Sequence, residues 1–304
     1  MSALENPTRA APQVRLGGDQ GNGAASGYRA AATLRVWAEI RREAGRLRTR
    51  LALGCMVLLP LVILLAFEIG RPGGNGQQRG EFASFAALGT HGGLNFALFT
   101  LLVSSSFLLV IVVALFCGDC VASEASWGSL RYLLAIPVPR GRLLLNKLLV
   151  ALLTCAVALI LLTGTALLAG TLRYGWHPML TTYGEQIPTG LAFVRLLGIL
   201  AYVAITLLVT AGLAFLLSVS TDAPLGAVGG AVMLLIVSEI LDQITALGAL
   251  RVVLPTHYAD AWLTFLSDPI QWDDVVKGTI AALVYAAAFI SFAWYRFQRK
   301  DIVS

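Results

Sequence analysis

The sequence predicts an all-α integral membrane protein with six transmembrane helices. Hydrophobic residues make up 57% of the 304 positions, charged residues only 13%, and the mean hydropathy is +0.77. A soluble domain carries about a quarter charged residues. The apolar residues form six long continuous runs, and about 20 such residues let a helix cross a bilayer. A transmembrane β-barrel would instead show short segments of alternating polarity.

The segment before the first run divides into two parts. Residues 1–29 are rich in Gly, Ala, Pro and Asn, a composition typical of disordered tails. Residues 30–50 predict an amphipathic helix, because apolar residues recur every three or four positions while arginines occupy the other faces. Such a helix lies at a membrane surface. It is either a basic anchor that only sets topology or an elbow that braces the first span against a cytoplasmic partner.

The six runs and their connections define a transmembrane domain over residues 51–295, which a short tail of residues 296–304 follows. Helices are favoured because in hydrocarbon every backbone N–H and C=O must be paired within its own segment. The glycine-rich connection 70–93 predicts no regular structure. The partly apolar connection 246–276 predicts a short helix that dips into the membrane. The predicted spans are 51–69, 94–117, 146–172, 191–217, 225–245 and 277–295.

The basic residues predict the orientation of these spans. Six spans place both termini on the same side. If that side is cytoplasmic, the inside segments and Lys147 at the membrane edge hold 16 of the 22 Lys and Arg. The positive-inside rule therefore predicts that both ends are cytoplasmic. The net charge of +5 is mostly this orientation signal, and it indicates no nucleic-acid partner.

The sequence lacks the motifs of several common catalytic sites. It contains no H-E-x-x-H, no G-x-S-x-G and no G-x-x-x-x-G-K-[ST], so the chain is not itself a conventional P-loop ATPase. Cys117 and Cys120 form a C-x-x-C at the inner end of the second run. A zinc or redox site would need further ligands or a βαβ context, so packed helix-end thiols are the favoured interpretation. No metal and no cofactor is expected on this chain.

Two acidic residues stand near the outer end of the fifth run. Glu239 and Asp242 are three positions apart, hence on one helix face. They either reach the water of the headgroup region or line an exit path for a polar or cationic substrate. His257, in the connection that follows, is expected to be a solvated loop residue.

A polar stretch, EASWGSLRYLLAIPVPRGRLLLNK, joins the second and third runs at residues 124–147. Taken as a helix over 119–136, it places Glu124, Gly128 and Arg131 on one face and an apolar arc on another. The polar face is available to external partners or to neighbouring helices. Pro137 ends this helix, because proline removes a backbone donor and restricts the residue before it.

This stretch resembles the segment between the second and third spans of ABC-2 type transporter permeases, the transmembrane subunits of bacterial ABC exporters. The pattern is E-x-x-x-G-S-L-R-x-L-L-x-x-P-V-x-R followed by L-L-x-x-K. The six-span layout, the amphipathic lead-in helix and the basic C-terminal tail are also similar to members of that family. The motif positions taken to couple the chain to an ATPase are Glu124, Gly128, Arg131, Pro137, Arg140 and Lys147.

The resemblance implies a cytoplasmic coupling helix between spans two and three, which docks on a separate ATP-hydrolysing subunit. It further implies two copies of that ATPase subunit, ATP and Mg bound there, and a second permease chain, identical or different. The chain would then lie in the bacterial plasma membrane and form the substrate pathway. Two other classes stay open: an ion-coupled secondary transporter, which needs ionisable residues near the midplane, and a membrane-embedded enzyme without a recognisable motif.

Overall fold

The computed structural model of the chain describes residues 36–70, 81–126, 140–181 and 184–299. The predicted disordered tail of residues 1–29 lies outside the described residues, as does most of the C-terminal tail. Nine α-helices are described, together with a two-stranded antiparallel sheet and two 3-10 helices. The α-helices are α1 Val36–Gly45, α2 Leu47–Gly70, α3 Glu81–Gly89, α4 Gly93–Ser105, α5 Leu108–Ser126, α6 Arg140–Tyr174, α7 Thr189–Ser220, α8 Pro224–Gln243 and α9 Trp272–Arg299.

Six of these helices are long and apolar enough to cross a membrane, namely α2 and α5 to α9. The described part of the chain is therefore the helical architecture of a multi-pass membrane protein. Aliphatic side chains such as Leu58 and Leu65 of α2 and Val284 of α9 are exposed, and lipid would cover them. The span count agrees with the sequence prediction, but several boundaries differ.

The second span is the clearest difference. The predicted helix over 94–117 is interrupted at Ser106 and Phe107, where a turn separates α4 from α5. Hydroxyl groups just before the turn compete for backbone acceptors, since Ser104 donates to the carbonyl of Thr100 and Ser105 to that of Leu102. The span then continues beyond the predicted end to Ser126. Residues 119–126 are thus the last turns of α5, not the start of a separate helix.

Two connections also differ from prediction. The glycine-rich connection 70–93, predicted to be irregular, contains α3. The connection 246–276, predicted to hold one short helix, contains two 3-10 helices, Thr245–Val253 and Ala261–Leu266. After α6, strands β1 (Met179–Leu180) and β2 (Gln186–Ile187) form a short antiparallel hairpin.

The core lies around α5 and α7. In the most apolar 18-residue stretch of each helix, 67% of the residues of α5 and 56% of those of α7 are buried, compared with 17% of those of α2. α7 joins two apolar clusters: Ile199 and Tyr202 belong to one, Phe215 and Val219 to the other. The bundle therefore has an α1 end, with α1, the end of α5 and the start of α6, and a hairpin end, with β1, β2 and the 3-10 helices.

A buried phenol ties α7 to the connection at the hairpin end. Tyr202 is 2% exposed and its hydroxyl donates to the backbone carbonyl of Tyr258 at 2.7 Å. Replacing Tyr202 with Phe leaves that carbonyl without this donor, so we expect a loss of about 1 kcal/mol of unfolding free energy. Thermal unfolding in detergent measures it. The exposed Tyr295→Phe is the matched control, and equal melting temperatures for the two variants would contradict the expectation.

Candidate functional site

Charged side chains converge at the α1 end of the bundle, where α5 stops and α6 begins. We call this group the polar cluster. It joins four helices, because its acids and bases come from α1, α2, α5 and α6, and from Arg46 between α1 and α2. Its members are Glu39, Arg42, Glu43, Arg46, Arg48, Asp119, Glu124 and Lys147.

The centre of the polar cluster is a buried ion pair between α5 and α6. Lys147 Nζ lies 2.6 Å from Glu124 Oε1, and the two side chains are 7% and 1% exposed. Arg42 of α1 lies 3.3 Å from the same carboxylate oxygen, and Glu39 lies 3.3 Å from Lys147 Nζ. A buried charge is tolerated only when it is paired and hydrogen-bonded. The N-terminal helix is therefore held to α5 and α6 by these partners.

A second acid, Asp119, fixes the same end of α5 one turn earlier. Its carboxylate pairs with Arg46 at 3.4 Å and with Arg48 at the start of α2. On the opposite side of α5, the backbone N–H groups of Val121 and Ala122 donate to Ser218 Oγ of α7 at 3.1 and 3.0 Å. The last turns of α5 are thus tied to four neighbouring helices.

Glu124 contacts neighbouring helices, one of the two alternatives that the sequence left open for its polar face. Its side chain is buried against α1 and α6. Lys147, 23 residues away, is its direct partner. Of the other positions expected to couple the chain to an ATPase, Gly128, Arg131 and Pro137 lie outside the described residues. Arg140 is the first residue of α6, and its side chain is also outside them.

Sequence reasoning missed Asp119 and the acids of α1 as members of this group. Arg42 and Glu124 are 82 residues apart, and Arg46 and Asp119 are 73 apart. One local signal was present in the sequence. Glu43 and Arg46 form a pair at spacing i, i+3, at 3.0 Å, the spacing at which helix side chains meet.

The hairpin end contains a cavity of about 420 Å³. It lies between α5, α7 and α8, beside the turn at Ser106 and below the loop 255–260. Of the two acids predicted to line a substrate path, only Glu239 borders this cavity. Asp242 Oδ1 instead lies within hydrogen-bond distance of His257 Nδ1, at 2.6 Å, and 3.6 Å from Arg251 Nε.

The pairing of Asp242 also corrects the expectation for His257. That residue is not a freely solvated loop side chain, because its ring is bonded to Asp242 and packs edge-on against Tyr258 at a centroid distance of 4.7 Å. The two acids of α8 therefore have different surroundings. Asp242 binds His257 and so holds the loop to α8, whereas Glu239 faces the cavity.

The two cysteines of the C-x-x-C lie in the last turns of α5. Cys117 is fully buried, and Cys120 Sγ contacts the Cys117 carbonyl at 3.0 Å, a bond within the helix. Among the residues that the structure describes, no three His, Cys, Asp or Glu side chains are grouped as metal ligands.

Comparison with known proteins gives one family. A family model described as protein of unknown function (DUF2705) matches residues 57–303, about four fifths of the chain. The match covers all six spans except the first turns of α2. No curated protein matches the chain.

Proposed function

The chain belongs to the DUF2705 family, and we propose that it is the membrane-spanning permease subunit of an ABC exporter. The observation that carries this proposal is the buried pair of Glu124 and Lys147, 2.6 Å apart. Glu124 and Lys147 are the first and last residues of the stretch 124–147, whose sequence resembles the coupling region of ABC-2 permeases. Their contact joins the end of α5 to the start of α6.

A rigid base is what mechanical coupling requires. Closure of an ATPase dimer can move spans only if the docking segment transmits displacement without local yielding, and rigid-body gating needs two states with different contacts. Here displacement of residues 127–139 would pass directly to α5 and α6. Through Arg42 and Arg46 it would also reach α1 and α2.

The energy would come from a second polypeptide. The sequence contains no phosphate-binding G-x-x-x-x-G-K-[ST] loop, whereas ATP and Mg would be bound by two copies of a partner ATPase. A second permease chain would complete the pathway. The charge distribution predicts that the α1 end faces the cytoplasm of a bacterial cell, which is the side where ATP is available.

Co-purification tests the proposal. We expect the full chain, purified in mild detergent from its native membrane, to retain a P-loop ATPase and to hydrolyse ATP. Replacing residues 127–139 with a Gly-Ser linker of equal length should abolish this retention while the chain still inserts into the membrane. Arg131→Ala should weaken the retention, and Arg50→Ala, an exposed arginine at the α1 end, is the matched control. A chain that never retains an ATPase would overturn the proposal.

One observation favours an ion-coupled transporter as the second candidate. Glu239 faces the cavity within a candidate span, and ionisable groups inside spans commonly mark ion or proton pathways. Uptake into proteoliposomes separates the two candidates. An exporter would accumulate substrate only with ATP and the ATPase present, whereas an ion-coupled transporter would need only an ion gradient.

A further inference from the structure

The cavity at the hairpin end has the size and the lining of a binding site for a small organic molecule. Ligand pockets of about 300–1,000 Å³ are mostly apolar with a few placed polar groups. This one measures about 420 Å³. Its walls include aliphatic side chains from three spans, among them Val110 of α5, Leu207 of α7 and Leu235 of α8. A ligand would therefore contribute a mainly apolar body.

The charge of the lining has one sign. Glu239 and Asp260 are the ionisable residues among those that line the cavity, and no Lys, Arg or His is among them. Glu239 is half-buried in the wall, and Asp260 is exposed at the mouth. Within the described residues, neither carboxylate has a basic side chain at salt-bridge distance, in contrast to Asp242. A cation in the cavity would therefore meet two carboxylates that have no basic partner among the described residues.

The hydroxyl groups of the lining present acceptors. Ser105 donates its hydroxyl hydrogen to the carbonyl of Leu102, and Thr206 donates to that of Val203. Each oxygen keeps lone pairs that can accept a hydrogen bond. A ligand with N–H donors can bond to these two oxygens, and the carboxylates of Glu239 and Asp260 disfavour an anion.

The pKa of Asp260, at the mouth of the cavity, also favours a cationic ligand. Partial desolvation in the loop raises the pKa of the Asp260 carboxyl, and the negative charge of Asp242 raises it further. This is the direction expected of a carboxylate whose neighbours are acidic. A bound cation would lower that pKa again.

We propose that this cavity binds an amphipathic organic monocation, a protonated amine on an apolar body, with Glu239 as its charge partner. The ammonium group lies at Glu239 and the acceptor hydroxyls, Asp260 attracts it at the mouth, and the apolar body fills the space between α5, α7 and α8. Only one part of this inference rests on the proposed transport function, namely that the bound cation belongs to the class of molecules that the exporter moves. Binding itself needs no ATPase.

Equilibrium binding to the full chain in phosphatidylcholine nanodiscs tests this inference. The probe is monodansylcadaverine, a primary amine on an apolar fluorophore, read by fluorescence anisotropy with empty nanodiscs as background. Its N-acetylated derivative has the same apolar body without the charge. We expect the amine to bind about 10-fold more tightly than the acetylated form, and Glu239→Gln to reduce this preference to about 3-fold, the part that Asp260 contributes.

Three further variants make the test specific. Asp260→Asn should weaken amine binding by about 3-fold, since its carboxylate is exposed and screened. Asp273→Asn removes an exposed charge at the start of α9 and should change nothing. Ile236→Trp fills the cavity and should abolish binding of both probes at an unchanged melting temperature, so it tests the site even if Glu239→Gln folds poorly.

The outcomes separate the two proposals. Equal affinity of both probes for the unaltered chain, or unchanged binding after Ile236→Trp, overturns the cation site and leaves the permease proposal standing. If the unaltered chain retains no ATPase on purification, the permease proposal is overturned, and a saturable, Glu239-dependent amine site can still stand.

Discussion

Replacing Lys147 with Met is expected to lower the free energy of unfolding by about 3 kcal/mol. The substitution keeps the aliphatic length of the side chain but removes the ammonium group that lies 2.6 Å from Glu124. Glu124 is 1% exposed, so its charge cannot be solvated by water instead. Arg42 at 3.3 Å offsets only part of the loss, because its side chain is 45% exposed and screened by solvent.

Urea or thermal unfolding in detergent, followed by circular dichroism, measures this effect. Lys277→Met is the matched control, since Lys277 is 62% exposed and lies 4.0 Å from Asp274; it should change stability by less than about 0.5 kcal/mol. The double variant Glu124→Gln with Lys147→Met should recover most of the loss, because the buried carboxylate that loses its closest partner is then replaced by a neutral amide. A Lys147→Met chain as stable as the Lys277→Met chain would contradict the burial of the pair.

The same variants connect stability to the proposed function. The double variant keeps the packing of α5 against α6 but lacks the pair that bridges residues 127–139. If that pair transmits force, ATPase retention should persist while ATP-dependent substrate movement falls. This split distinguishes a coupling role from a purely structural one.

Gly93→Ala is expected to lower the free energy of unfolding by a similar amount, about 3 kcal/mol. A Cβ at Gly93 would lie 2.7 Å from the backbone N and 2.9 Å from the Cα of Thr171. Backbone atoms cannot rotate away, so α4 and α6 would have to separate. Gly170 faces the same contact, since a Cβ there would meet the Cβ of Phe96 at 2.8 Å.

Gly164→Ala is the matched control for this prediction. Gly164 stands in the same helix α6, and nothing lies within 4 Å of an added Cβ. Alanine there should stabilise the chain by about 0.5 kcal/mol, because it favours the helix over the unfolded state. Melting temperatures that fall for Gly93→Ala and rise for Gly164→Ala would support the close α4–α6 contact. A fall of equal size in both would contradict it.

Gly93→Ala and Lys147→Met should also differ in their effect on the cavity. The turn at Ser106 and Phe107, which borders it, directly follows α4. Displacement of α4 by Gly93→Ala should therefore change probe affinity in the cavity, whereas Lys147→Met at the α1 end should not.

The number and type of the spans could be predicted from the sequence, because the cost of unpaired backbone in hydrocarbon acts locally. A continuous run of about 20 apolar residues avoids this cost by forming a helix, which pairs its own backbone groups. Six such helices are present in the described part of the chain. Helix ends were less predictable. The break at Ser106 follows two hydroxyl groups that bond backbone carbonyls, and an average over a run does not register so local a feature.

Both candidate sites depend on the tertiary structure. The sequence pointed to Glu124 and Lys147 through the polar stretch that joins two apolar runs. It pointed to Glu239 and Asp242 because a charge near a span is costly. Which of them pair and which face open volume depends on long-range packing. Arg42 reaches Glu124 across 82 residues, and His257 takes Asp242 away from the cavity that Glu239 borders. Local periodicity determines a helix, whereas the partner of a buried charge is set by which helices pack together.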